Sequence, residues 1–263
     1  MQIFKRVVTA LTTATLVVLG LLYVPFGVVL PVMIALVTLV HLEFSQMVAR
    51  KYEIMTGLGV VSGLVYLIAT FYFPDGGERF DGWSGIALSA LFALFWLAAL
   101  FGKSERPLAA AGVTLLGFVY LPLMLKSLIL LPKEHGMTML LYVIAIVKFS
   151  DMGGFALGMA FGKHKMCPKI SPKKSWEGMA GSILASVLMS CAFVPLTHFG
   201  WGKAAAFGVA AAVIGTLGDL VESRFKRECG VKDSATFMPA GLGGFLDMFD
   251  SLVFAPAALL PFI

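Results

Sequence analysis

Apolar segments of about 20 residues follow one another along nearly the entire chain, and this repetition limits the folds open to it. A helix needs about 20 apolar residues to cross a bilayer. Turn residues such as Pro25, Gly27, Pro132 and Gly136 separate the segments. Nine spans are predicted, over residues 7–23, 28–47, 54–73, 84–102, 109–131, 139–162, 178–198, 203–220 and 243–262.

Composition excludes the class of soluble globular domains. Only 13% of the 263 residues are charged and 59% are hydrophobic, whereas a soluble domain carries about 25% charged residues. Lipid is the solvent that removes the need for surface charge. We therefore predict an all-α, polytopic transmembrane bundle of about nine spans, with the first apolar segment retained as a span.

The placement of basic residues predicts the orientation. With alternating spans, 15 of the 20 Lys and Arg residues fall on the side of the N-terminus, and three fall in the opposite loops. Because cytoplasmic loops are enriched in Lys and Arg, we expect a cytoplasmic N-terminus. We expect a multi-pass protein of the bacterial inner membrane, with its active site facing the cytoplasm.

Charged residues are also distributed unevenly along the chain. The first part, residues 1–138, shows about five spans and no recognisable chemistry. The second part, residues 139–263, has about four spans and most of the candidate site residues. We predict an N-terminal membrane bundle followed by a catalytic membrane region.

A basic segment connects the sixth and seventh predicted spans. Residues 162–178 contain five lysines, and the core from Ser171 to Ser175 adds hydroxyl groups and backbone donors. This set suits phosphate oxygens, which accept hydrogen bonds and carry charge. A plain anchor for lipid headgroups is the alternative on composition alone.

Carboxylates recur near the ends of the last two spans. Asp219, Glu222 and Ser223 share one helical face, and Asp247 and Asp250 share another. Carboxylates in apolar helices are costly, and several of them together suit Mg²⁺. The alternative is a set of internal salt bridges, and for Asp151 an ion pair with Lys148 one turn earlier.

Taken together, these segments resemble the phosphatidate cytidylyltransferase family, also called CDP-diacylglycerol synthase. The resemblance rests on two ordered groups of motifs, at residues 151–158, 161–163 and 170–178, and at residues 218–223, 226–227, 230–234 and 243–252. Three positions depart from the usual family pattern, the first being Phe155, where Tyr is common. Leu242 stands where His is usual, and Met248 stands where Arg is usual.

The resemblance implies transfer of the cytidylyl group of CTP to phosphatidic acid, giving CDP-diacylglycerol and pyrophosphate. It implies Mg²⁺ bound by Asp219, Asp247 and Asp250, which with Lys226 form the catalytic set. The implied substrate-binding residues are Asp151, Ser171, Lys173, Lys174, Ser175, Glu177, Ser223, Arg227, Lys232, Asp233, Gly243 and Gly244. The expected partners are CTP, phosphatidic acid and membrane lipid but no nucleic acid. An additional monovalent cation and a homodimer are further expectations.

Three other functions stay open at this point, one of them a non-catalytic scaffold, which would bind no nucleotide. A CTP-dependent polyprenol or lipid kinase would transfer the γ-phosphoryl group instead of the cytidylyl group. An ion-coupled transporter would use Asp151, Asp219 and Asp247 as a cation path, but the discontinuous helices of two symmetric halves that it predicts do not show in the sequence.

Overall fold

A computed structural model of the protein describes residues 23–72, 83–101, 104–234 and 244–263. The described residues form a helical bundle with one small antiparallel hairpin. Its helices are α1 (Phe26–Val48), α2 (Thr56–Tyr72), α3 (Trp83–Phe101), α4 (Pro107–Phe118), α5 (Met124–Glu134), α6 (Met137–Phe161), α7 (Trp176–Ala192), α8 (Val194–Thr197), α9 (Trp201–Glu228) and α10 (Phe245–Leu259). The strands are β1 (Lys165–Cys167) and β2 (Ser171–Ser175). A π-helical turn (Val119–Leu123) joins α4 to α5, and a 3₁₀ turn (Leu260–Phe262) follows α10.

The predicted class, an all-α polytopic membrane bundle, is confirmed. Five helical segments are long and apolar enough to cross a membrane: Phe26–Val48, Pro107–Glu134, Met137–Phe161, Trp201–Glu228 and Phe245–Phe262. The apolar helices Thr56–Phe71, Leu88–Phe101 and Trp176–Ala192 are shorter. Residues 7–22 of the first predicted span lie outside the described residues. The count of nine spans stays a prediction.

Helix α9 is longer than the span predicted from hydropathy. The apolar pattern ends near residue 220, but the helix continues to Glu228. Its 28 residues are about 42 Å long at 1.5 Å per residue, against a hydrocarbon core of about 30 Å. The added turns hold Glu222 and Lys226, which pair at spacing i, i+4 inside the protein.

The basic segment predicted as a loop contains the hairpin. Lys165 pairs with Ser175, and Cys167 pairs with Ser171. Ser175 ends β2 and is also the N-cap of α7, where its hydroxyl accepts a hydrogen bond from the Gly178 N–H at 3.2 Å. The hairpin therefore leads directly into α7, and Lys173 and Lys174 of β2 lie just before the start of this helix.

One hydrophobic core joins helices from both halves of the chain. Val37 and Phe44 of α1 belong to the same buried cluster as Ile146 of α6 and Leu252 of α10. The sequence division at residue 138 stays a prediction, because a shared core neither requires nor excludes separate roles for the two parts.

One polar contact shows which helix ends lie together. The Lys51 ammonium group, just after α1, lies 2.6 Å from a carboxylate oxygen of Glu228 at the end of α9. Hydrogen bonding to Glu228 raises the pKa of Lys51. The Tyr52 hydroxyl donates to the same carboxylate at 2.7 Å. The residues that follow α1 and the last turn of α9 therefore lie at one end of the bundle. The orientation of the bundle in the membrane stays a prediction.

Close packing of α6 on α7 depends on glycine. A Cβ added at Gly181 would lie 2.5 Å from the Gly153 carbonyl oxygen and 2.8 Å from Leu157 Cβ. The backbones could not stay at this separation with a larger residue on α7. Since α6 and α7 both line the site described below, their separation sets its width.

We expect Gly181→Ala to lower the free energy of unfolding by about 1–3 kcal/mol, because overpacking forces the two helices apart. The matched control is Gly112→Ala, a helical position where an added Cβ meets no atom within 4 Å. Thermal unfolding in detergent measures both variants. Equal midpoints for the two would contradict the close contact at Gly181.

Candidate active site

A cavity of about 340 Å³ lies between the hairpin and helices α6, α7, α9 and α10. Both cationic and anionic side chains line it. Its charged residues are Lys148, Lys173, Lys174, Asp151, Asp219, Asp247 and Asp250. Phe155, Met166 and Met179 form an apolar part of the same wall. The cavity is thus able to receive a charged group that carries an apolar extension.

Three carboxylates converge beside the cavity, and two of them, Asp219 and Asp250, line it. Asp219 and Glu222 from α9 and Asp250 from α10 each offer an oxygen, and these oxygens all lie within 4.8 Å of one another. Carboxylate oxygens at this separation suit a hard divalent cation such as Mg²⁺. Among the described residues, this is the group that best fits a metal ion.

Glu222 was absent from the metal set predicted from the sequence. It is fully buried, and it lies one turn after Asp219 on the same helix. The i+3 spacing was the available signal. Spacing alone does not show which residue of a helical face meets the opposite helix.

Asp247 lies beside this cluster and has its own partners. Its Oδ1 accepts from the Lys226 ammonium group at 2.8 Å. Its Oδ2 accepts from the Gly244 N–H at 2.7 Å and from the Ser234 N–H at 3.4 Å. Asp247 thereby caps the first turn of α10. Its role as a metal ligand stays a prediction.

The Lys226 ammonium group pairs with carboxylates of two helices, Glu222 of α9 and Asp247 of α10. Its ammonium group lies 2.6 Å from Glu222 Oε2 and 2.8 Å from Asp247 Oδ1, and its side chain is only 12% exposed. A buried charge needs partners of opposite sign, and Lys226 supplies one to each helix. It does not itself line the cavity.

Lys174 brings the hairpin to the acidic cluster. Its ammonium group lies 2.8 Å from Asp219 Oδ2 and donates to the Thr216 carbonyl at 2.9 Å. On the other oxygen, Asp219 Oδ1 accepts from the Ser223 hydroxyl at 3.2 Å. Asp219 is therefore held in place from two directions.

Lys148 of α6 is the centre of another group of polar contacts. Its ammonium group donates to the Met248 carbonyl at 3.0 Å and to Ser251 Oγ at 3.2 Å, and it lies 3.5 Å from Asp151 Oδ2. The Ser251 hydroxyl in turn donates to Asp151 at 2.9 Å. The ion pair of Lys148 with Asp151 is thus present, and both residues also line the cavity.

Only some of the remaining predicted site residues line the cavity. Ser171, Lys173 and Ser175 line the cavity. Glu177 instead holds His164, with its Oε1 at 2.6 Å from His164 Nδ1. Arg227, Lys232 and Asp233 are exposed away from the cavity, Gly244 is buried beside it, and Gly243 lies outside the described residues.

One further candidate, Glu43, lies within residues 1–138, where the sequence shows no recognisable chemistry. Glu43 of α1 is fully buried and accepts a hydrogen bond from the Leu246 N–H of α10 at 2.8 Å. An acidic residue in an apolar span was the only sequence signal. Nothing in local spacing links it to a residue more than 200 positions later.

The chain is similar to known proteins over nearly its whole length. Residues 4–263 match the family described as the Cytidylyltransferase family. The phosphatidate cytidylyltransferase of Haemophilus influenzae is 36% identical over 225 residues, covering 78% of this chain and 77% of the relative. That of Mycobacterium tuberculosis is 38% identical over 161 residues, covering 59% and 47%. That of Staphylococcus aureus is 41% identical over 124 residues, covering 46% and 47%. The match thus spans about half the length of the last two relatives.

We expect Asp250→Asn to weaken binding of Mn²⁺ at least about ten-fold, because it removes one anionic ligand from a site of three. Electron paramagnetic resonance of purified protein titrated with Mn²⁺ measures the free ion. The control is Glu105→Gln, an exposed carboxylate in the loop between α3 and α4. If both variants bind Mn²⁺ as the parent protein does, the three carboxylates are not the metal site.

Proposed function

The chain belongs to the cytidylyltransferase family, and on that premise we propose that it transfers the cytidylyl group of CTP to phosphatidic acid. The products are CDP-diacylglycerol and pyrophosphate. The observation that carries the proposal is a single cavity, in a membrane bundle, that combines three lysines with a carboxylate cluster. The relatives are named phosphatidate cytidylyltransferases, which supports the same reaction.

The chemistry asks for positioning more than for a strong base. An oxygen of the phosphatidate phosphate attacks the α-phosphorus of CTP, the bond to the β-phosphate breaks, and pyrophosphate leaves. The attacking group is already anionic at neutral pH, so no proton has to be removed. The obstacle is the approach of two anions, which cationic side chains held in place relieve.

A divalent metal requirement accompanies membership of this family, and we assign Mg²⁺ to the requirement. Asp219, Glu222 and Asp250 would hold the ion, since their oxygens lie within 4.8 Å of one another. When bound, Mg²⁺ supplies positive charge that stabilises the negative charge of the reacting phosphates. An additional monovalent cation stays a prediction.

The lysines divide between substrate and protein. Lys173 of β2 is exposed at the cavity, where it is able to contact a phosphate group. Lys174 is paired with Asp219, and Lys226 is paired with Glu222 and Asp247. We assign phosphate binding to Lys173 with Ser171 and Ser175, and alignment of the carboxylates to Lys174 and Lys226.

The surface beside the cavity suits a lipid substrate. Phe155 lines the cavity and is 70% exposed, and Met159, one turn later on α6, is 73% exposed. An exposed apolar stripe on a membrane helix faces acyl chains. The phosphate headgroup would enter the cavity while the acyl chains stay along α6 in the bilayer.

The protein is an integral membrane protein. We propose the bacterial inner membrane as its location and the cytoplasmic face as the side of the cavity, where CTP is available. The excess of basic residues on that face supports the orientation. We keep residues 139–263 as the catalytic region and residues 1–138 as its supporting bundle, and a homodimer stays a prediction.

Labelled CTP decides the reaction type. We expect purified protein with Mg²⁺ and phosphatidic acid to move a phosphorus label from the α-position of CTP into the lipid. A label at the γ-position should appear only in pyrophosphate. A lipid labelled from the γ-position would instead indicate a lipid kinase, and no labelled lipid from either CTP would contradict both enzymes.

We expect Asp247→Asn to lower cytidylyl transfer at least about 100-fold, because one anionic partner of Lys226 and the cap of α10 are both weakened. Glu105→Gln is the control and should keep normal turnover. Circular dichroism and gel filtration in detergent show whether the variant is folded. Near-normal turnover in folded Asp247→Asn would exclude Asp247 from the catalytic set.

A further inference from the structure

Glu43 is a buried acidic residue that the reaction described above does not use. It lies on α1, in the first part of the chain, and its exposed fraction is 0%. An acidic side chain within an apolar membrane helix is costly unless specific donors surround it. Its donors therefore indicate its role.

Two of its donors, Leu246 and Ser234, lie close to the first turn of α10. Glu43 Oε2 accepts from the Leu246 N–H at 2.8 Å and lies 3.4 Å from the Ser234 hydroxyl. Leu246 is the second residue of α10, so its N–H has no partner within the helix. An acidic group at a helix N-terminus is also favoured by the helix dipole. Glu43 thus caps α10 from another helix.

The Glu43 carboxylate leaves no space for a side chain at position 244, the N-cap of α10. A Cβ added at Gly244 would clash with Ser234 Oγ and would lie 2.6 and 2.7 Å from the two carboxylate oxygens of Glu43. Gly244 is also the residue whose N–H donates to Asp247. The Glu43 carboxylate is therefore pressed against the same backbone that Asp247 caps.

Aromatic packing fixes α1 next to this contact. The Phe44 ring lies 5.8 Å from the ring of Phe225 on α9 and 5.6 Å from that of Tyr120, centroid to centroid. Tyr120 also packs on Phe254 of α10 at 5.8 Å. Because these rings pack α1 against α9 and, through Tyr120, against α10, the backbone that carries Glu43 is fixed relative to both helices.

We propose that Glu43 is a positioning residue for the catalytic carboxylates. By holding the first turn of α10, it sets the depth and rotation at which Asp250 meets Asp219 and Glu222. It also sets the position of Asp247 relative to Lys226. The part of this inference that concerns turnover rests on the proposed function, and the part that concerns metal binding does not.

The test compares Glu43→Ala with Ser45→Ala. Ser45 lies on the same helix, is equally buried, and its hydroxyl has no hydrogen-bond partner in the described part of the chain. We expect Glu43→Ala to weaken Mn²⁺ binding at least about ten-fold and to lower kcat more than it raises KM for CTP. Ser45→Ala should change neither quantity.

Glu43→Gln is the conservative variant, because it keeps the size and one acceptor oxygen. We expect its Mn²⁺ affinity and kcat to lie between those of the parent protein and Glu43→Ala. It also keeps the test decisive if Glu43→Ala does not fold. Parent-like Mn²⁺ binding and kcat in folded Glu43→Gln and in folded Gly244→Ala together would overturn the positioning role.

A double-mutant cycle tests the contact itself. Gly244→Ala places a methyl group against the Glu43 oxygens, whereas Glu43→Ala removes those oxygens. We therefore expect the losses of Mn²⁺ affinity from the two changes to be strongly less than additive. Because Ser234 Oγ also meets an added Cβ at Gly244 and contacts Glu43, all four proteins carry Ser234→Ala, which removes this second contact from the cycle. Additive losses would contradict a direct role of the contact.

The two readouts separate the two hypotheses. If the parent protein binds Mn²⁺ but transfers no cytidylyl group, the proposed function is wrong while the Mn²⁺ affinities still decide the role of Glu43. If the parent protein transfers the cytidylyl group and Glu43→Ala matches Ser45→Ala in both measurements, the positioning role alone is wrong.

Discussion

The ammonium group of Lys226 lies between carboxylates of two different helices, and the site depends on this interaction. Glu222 of α9 and Asp247 of α10 lie 2.6 and 2.8 Å from it. Without this cation, several acidic side chains would face one another in a poorly hydrated region, where like charges repel strongly. The last two helices can bring their acidic residues together because a lysine accompanies them. Lys174 does the same for Asp219 from the hairpin. Cations and anions thus alternate through the site, and the alternation allows so much charge in an apolar bundle.

The sequence was most informative where a property is local. Runs of apolar residues located the described helices to within a few residues, because the requirement to satisfy backbone groups in lipid leaves few alternatives to a helix. Hydropathy failed at the end of α9, since the helix continues to Glu228 through side chains that are charged and yet buried. It also gave no sign of the hairpin, whose two strands are only three and five residues long.

The site could be predicted only in part, because local sequence does not show how neighbouring helices are oriented relative to each other. The motifs identified Asp219, Asp247 and Asp250, and the structure brings all three to one cavity. The motifs did not show that Glu222 faces Asp250, or that Asp247 points toward Lys226 and the start of α10. Those details depend on how two helices are rotated against each other. Glu43 is the extreme case, because its partner Leu246 lies 203 residues away in the sequence.

The length of α9 links the site to the thickness of the surrounding lipid. With 28 residues, the helix exceeds a hydrocarbon core of about 30 Å by roughly 12 Å. Asp219 lies nine residues, about 14 Å, before its end. In the predicted orientation, with the excess length on the cytoplasmic side, the acidic cluster lies near the boundary between hydrocarbon and headgroups. A membrane a few ångström thicker would draw these carboxylates into hydrocarbon, and a thinner one would expose them to water. The hydration of the acidic cluster is therefore set jointly by the protein and by the acyl chains around it.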